Sequence, residues 1–215
     1  MIIEGVVNQP SNISFSDGAD VKILTGKTAE LLISGLHGNN YTLNYRGNLF
    51  HGYSVGQQAA IPITTTKAPN FILYNPRSNN VNAVLIDYCI GWNSGTHTEG
   101  NIQMGVLTDA PAAPATGASI AAFTNGTVLN GNLGHGNVNK VRFGSAATLT
   151  ASATKFLPLG FTGLNFLATS DMFFGVYYKF DGTIIVSPGT AIFTCATAAT
   201  VALYDQRITW YEFPV

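Results

Sequence analysis

The groups with which this chain could do chemistry are sparse: four histidines, two cysteines and eleven acidic residues in 215. His37, His51, His97 and His135 are scattered, and no two share the i, i+4 spacing that sets a pair of ligands on one helix face. His97 and Glu99 alternate in an extended Gly-Thr-His-Thr-Glu-Gly segment and would face the same way, but two ligands do not close a metal site. Gly26-Lys27-Thr28 has the ending of a phosphate loop, yet the leading glycine of that pattern would fall at position 21, which is Val21. Ser119 and Ser145 lie near glycines without forming a Gly-x-Ser-x-Gly elbow. No two acids are adjacent. Asp17 and Asp20 share a turn, and Asp171 and Asp181 flank a strand; a glycosidase pair would need only spatial proximity. No catalytic, metal-binding or cofactor-binding residue is assigned, and the chain is read as a non-enzyme.

Cys89 and Cys195 both sit inside apolar runs, VLIDYCIGW and TAIFTCATA. Two cysteines make no disulfide framework, so two buried free thiols are expected, with one bridge between neighbouring strands as the alternative. Three sequons, at Asn12, Asn40 and Asn125, are what an Asn- and Thr-rich chain produces by chance. Tyr41, Tyr45, Tyr53, Trp92 and Trp210 could form a sugar platform, but the two tryptophans fall in apolar alternation and read as core.

The elements that would position these groups are almost all strands. Runs rich in Val, Ile, Thr, Tyr and Phe occur at 2–7, 61–66, 71–75, 82–92, 102–108, 138–143, 172–180, 183–187, 190–197 and 200–213. In 172–180, Phe174, Val176, Tyr178 and Phe180 share one face and Lys179 the other. In 200–213, Ile208 and Trp210 oppose Asp205, Arg207 and Thr209. Phe180-Asp181-Gly182-Thr183 predicts a hairpin turn. The charge-free stretch 183–204 reads as two buried strands joined by a Pro188-Gly189 turn rather than as a membrane span. Residues 27–36 form the one helix candidate, ended by Gly35 and Gly38. Residues 110–137, rich in Pro, Ala, Gly and Asn, show little strand character and predict a long loop excursion. The expected organisation is an N-terminal arm, 1–60, that packs on neighbours or on the core, then one β-sandwich, 61–215, with an insertion at 110–137.

Composition bears on partners. Charged residues are 10% of the chain and the formal net charge is −1, so the basic face that nucleic acid demands is missing. Twenty-one charges spread over roughly 9,500 Å² leave about 450 Å² for each, a thin covering for a soluble surface. Either the surface is rich in neutral Thr, Asn and Gly, as in a neutral-polar monomer, or much of it is covered by other subunits. The covered surface is the favoured reading, because obligate interfaces are apolar and poor in charge. Residues 1–60 and 110–139 are the candidate interface segments. The start, MIIEGVVNQP, lacks the basic and apolar regions of a secretory signal, so folding in the cytoplasm is expected.

Several features taken in order resemble the jelly-roll virion proteins of tailed bacteriophages. They are the 26–31 segment Gly-Lys-Thr-Ala-Glu-Leu, Tyr45-Arg46-Gly47-Asn48-Leu49-Phe50, a strand into Asn75-Pro76, and the long apolar strand 81–92. Pro188-Gly189-Thr190-Ala191 and the close Trp210-Tyr211-Glu212-Phe213-Pro214 follow. The resemblance covers essentially the whole chain. It implies an all-β, jelly-roll-like sandwich serving as a head decoration or cement subunit. The implied assembly is a trimer that contacts the major capsid or other virion proteins, made in the host cytoplasm and ending in the virion. The implied partners include neither nucleic acid nor membrane. A carbohydrate-binding or adhesin module, and a tail or fibre-base component, are the alternatives.

Overall fold

The computed structural model describes residues 4–7, 19–22, 40–54, 59–96, 100–108, 120–153, 155–162 and 175–215. The chain divides into two units, Met1–Asn39 and Asn40–Val215. In the first, β1 (Glu4–Val7) and β2 (Ala19–Lys22) pair antiparallel. The helix expected at 27–36 lies outside the described residues, as does the Gly26-Lys27-Thr28 segment.

The described residues of the second unit form an all-β sandwich with one short helix, α1 (Tyr41–Tyr45). Its strands are β3 (Leu49–Tyr53), β4 (Ala59–Ala60), β5 (Ile72–Asn75), β6 (Val81–Ser94), β7 (Gly100–Thr108), β8 (Ile120–Asn125) and β9 (Thr127–Asn130). They continue with β10 (Arg142–Leu149), β11 (Lys155–Thr162), β12 (Gly175–Lys179), β13 (Ile185–Val186), β14 (Thr190–Ala196) and β15 (Leu203–Pro214). One sheet runs β11-β7-β14-β5-β10-β8. The other runs β12-β6-β15-β3-β9, with β13 beside β6 and β4 beside β15. All named pairings are antiparallel. From β5 to β7, and again from β12–β13 through β14 to β15, the chain changes sheet at each step.

Alternate residues of the two sheets meet in one core: Phe71, Leu73, Met104, Phe143 and Ile192 from the first, Phe50, Leu85, Tyr88, Ile208 and Trp210 from the second. The six-stranded sheet also buries its other face, where Ile72, Tyr74, Leu149, Phe193 and Cys195 form a second apolar cluster. Gly105 and Gly144 let aromatic rings lie against the backbone there, since a Cβ at either would collide with Phe193 or Phe123. Between the sheets, Tyr88 donates to Gln206 Oε1 at 2.8 Å and meets Thr194 Oγ1 at 3.2 Å, a buried polar tie.

The alternation predicted for 200–213 is present: Ile208 and Trp210 are buried, Asp205 and Arg207 exposed. In β12, Val176 and Tyr178 pack on the core while Lys179 is exposed; Phe174 lies outside the described residues. Other expectations are corrected. Residues 61–66 make only a single bridge, Ile63 to Ala196, because Pro62 has no N–H to give a ladder. Residues 138–141 are loop, and the strand starts at Arg142. The excursion at 110–137 contains two strands, β8 and β9, which extend opposite sheets at their edges. Asp181 and Gly182 do form a turn with φ of 45° and 82°, the primed geometry their types favour. It joins no hairpin, however: β12 and β13 both pair with β6, and the turn is a bulge in one edge. Pro188-Gly189, with Gly189 at φ 83°, carries the chain from one sheet to the other. Residues 40–60, expected in the arm, belong to the sandwich unit and supply α1, β3 and β4.

Candidate functional site

The outward face of the seven-stranded sheet is a grid set by strand register. One row reads Leu129, His51, Thr209, Asp87, Lys179; the next reads Thr127, Tyr53, Arg207, Cys89, Tyr177. A third is Asp205, Gly91, Gly175. Rows lie about 7 Å apart, two residues along a strand, and neighbours within a row about 4.8 Å apart. Opposite the step from Thr209 to Trp210, β6 carries one extra residue, Ile86, between Asp87 and Leu85. This bulge shifts the phase of β6, so that Leu85 and Tyr88 both reach the core and Asp87 emerges beside Thr209.

Asp87 is the hub. Its Oδ1 accepts from Thr209 Oγ1 at 2.7 Å and from the Arg207 guanidinium at 3.4 Å, while Oδ2 accepts from the Tyr177 hydroxyl at 3.3 Å. Thr209 has one hydroxyl hydrogen and spends it on Asp87. The 3.0 Å contact between Thr209 Oγ1 and His51 Nδ1 therefore needs the histidine N–H as donor. His51 is then the Nδ1–H tautomer, with Nε2 left as an acceptor. Burial first, and the Arg207 charge second, hold its pKa below the ordinary 6.5 against the pull of Asp87, which keeps the ring neutral at pH 7.

Beside this network lies an open groove of about 620 Å³, bordered by His51, Tyr53, Leu129, Cys89, Asp205 and Arg207. At Gly91 its floor is bare backbone, where a Cβ would meet no atom within 4 Å. Asp205 accepts from Asn93 Nδ2 at 3.0 Å. The order His51–Thr209–Asp87 puts the hydroxyl between base and acid. A nucleophilic triad needs the imidazole in the middle, so this order is not that of such a triad.

A second feature lies at one end of the sandwich. Tyr41 and Tyr45 on α1, Leu133 and Val138 in the loop after β9, and Phe213 and Val215 at the close of β15 are all exposed, Leu133 and Val138 by 80% or more. The loop carrying them is pinned. Asn130, Asn132 and Asn137 donate to the carbonyls of Gly47, Tyr45 and Arg46. The buried Glu212 carboxylate accepts the N–H groups of Lys140 and Val141 at 2.9 Å.

Of the chemically active residues singled out in the sequence, the fold brings His51, Tyr53 and Cys89 to the groove. His135 is half-buried and packs against Gly47, while His37, His97 and Glu99 lie outside the described residues. Cys195 and Trp210 are buried, Trp92 packs on the core, and Tyr41 stacks on Tyr45. The thiols are free and on different sheets, which corrects the alternative of a bridge; Cys89 is half-buried rather than buried. Asp87, Arg207 and Thr209 are the site residues that sequence spacing missed. Among the described residues, no group of three or more His, Cys, Asp or Glu is placed to hold a metal ion, and no helix is long and apolar enough to cross a membrane. No family model, curated protein or solved structure matches the chain.

Proposed function

We propose that the chain is a structural virion subunit, a capsid decoration or cement protein that assembles with copies of itself, as a trimer, and docks on the major capsid or other virion proteins. The observation that carries this reading is the apolar end: six large exposed side chains on hydrogen-bonded loops, drawn from 40–48, 131–141 and the close of β15. Exposed apolar side chains on loops at the same end of the strands favour burial against a partner, and loops already pinned lose little entropy on docking. The first segment falls within 1–60, and the second overlaps 110–139 through Leu133 and Val138, the two stretches expected to form the interface. The strand order adds support. β3-β15-β6-β12 faces β5-β14-β7-β11, the interleaving produced by two Greek keys, and favours the jelly-roll form of the sandwich. Light scattering on the purified protein tests the reading: a mass near 68 kDa, three times the 22.8 kDa chain, is expected, and a stable 22.8 kDa monomer contradicts self-assembly.

A further inference from the structure

The groove on the seven-stranded sheet has features that assembly at the apolar end does not use. It is wide enough for a small ligand, since pockets that take one run from about 300 to 1,000 Å³. Its border mixes one flat aromatic ring, Tyr53, and the aliphatic Leu129 with polar groups of both kinds. Arg207 donates, Asp205 accepts, and the neutral His51 accepts through Nε2 once Nδ1 is committed to Thr209. Arg207 is already ion-paired with Asp87, so together with Asp205 it leaves the groove border no excess of positive charge. The Asp87 carboxylate is already occupied by Thr209, Arg207 and Tyr177.

These features select a ligand class. A phosphate or nucleotide would need an excess of cationic donors, and the groove border has one arginine balanced by one aspartate. A purely apolar ligand would offer nothing to His51 Nε2 or to Asp205 Oδ1, the atoms not engaged by Thr209 and Asn93. A pyranose has an apolar face of C–H groups that stacks on an aromatic ring, and a rim of hydroxyls that both donate and accept. The bare floor at Gly91, beside Gly175 in the next strand, gives such a ring room to approach the backbone. We propose that the groove is a binding site for a neutral oligosaccharide, with Tyr53 as the stacking platform and Arg207, Asp205 and His51 as the hydroxyl-reading groups.

The test uses the full chain on a printed array of neutral and anionic glycans, followed by calorimetric titration of a retained neutral glycan. Tyr53→Ala should weaken that glycan by roughly tenfold, and Arg207→Ala by roughly fivefold, equivalent to about 1.4 and 1 kcal/mol. Lys67→Ala, at an exposed position away from the groove, should leave affinity unchanged. Unfolding midpoints check that each variant is folded. Arg207 is half-exposed with a single 3.4 Å ion pair, so its variant keeps the test decisive should Tyr53→Ala not fold. Retention of no neutral glycan overturns the proposal. So does retention only of anionic glycans in a salt-sensitive manner, or a retained neutral glycan whose affinity is the same in wild type and both groove variants.

Discussion

The two sheets of the sandwich share one core but treat their outward faces in opposite ways. On the six-stranded sheet, Ile72, Tyr74, Phe193 and Cys195 are buried, and glycines beneath the rings bring aromatic groups down onto the backbone. On the seven-stranded sheet, the corresponding face carries Asp87, His51, Thr209, Arg207 and Tyr177 in one hydrogen-bonded network beside an open groove. The cysteines report the contrast. Burial pushes the Cys195 thiol up to about 11, whereas Cys89 sits half-buried at the groove. A sheet closed on both sides contributes stability, and a sheet open on one side is free to present chemistry.

Substitutions can break this comparison, and the largest effect belongs on the closed face. Phe193→Ala removes a ring that is 1% exposed and seated over Gly105, and should cost about 3–5 kcal/mol in denaturant unfolding. A cost under 1 kcal/mol would mean that this face is not packed. A paired substitution sharpens the point. Cys195→Ser places a hydroxyl in an apolar cluster and should cost about 1–3 kcal/mol. Cys89→Ser should stay within about 0.5 kcal/mol. Equal costs would erase the difference between the faces.

The smallest effect is a pH dependence on the open face. His51 has its pKa lowered in the folded protein, so between that value and 6.5 the unfolded chain holds a proton that the folded chain does not. Stability therefore falls as pH drops from neutral through this window, and the contribution is intact above it. His51→Gln should flatten that part of the stability curve. An unchanged slope would show that His51 titrates normally and that its environment is not the partly closed one described.

The legibility of the sequence follows the same division. β15 could be read because Asp205, Arg207 and Thr209 alternate with Gln206, Ile208 and Trp210, the signature of a strand with one polar face. β5 and β14 appeared only as apolar runs, because both their faces are buried. β8 and β9 escaped because they are short edge strands, Ile-Ala-Ala-Phe-Thr-Asn and Thr-Val-Leu-Asn, in which Ile120 and Phe123 stand three apart and Val128 and Leu129 are adjacent, so no alternation marks them. β11 escaped for a related reason: Pro158 sits in it, which an edge strand tolerates at a bulge. The groove was invisible because its residues come from β3, β6, β9 and β15, brought together by register alone. Only the slipped alternation of Leu85-Ile86-Asp87-Tyr88 signals locally that β6 turns a carboxylate outward. The Asn- and Gly-rich composition also acquires a role, since Asn130, Asn132 and Asn137 close the loop backbone that carries the apolar end.

That end is where self-assembly stands or falls, and the solution mass of two variants beside the wild type tests it most directly. Wild type and Arg207→Ala should both scatter as trimers near 68 kDa, while Leu133→Glu combined with Val138→Glu should fall to the 22.8 kDa chain. A monomeric wild type, or a trimer that survives both glutamates, would contradict assembly through the apolar end.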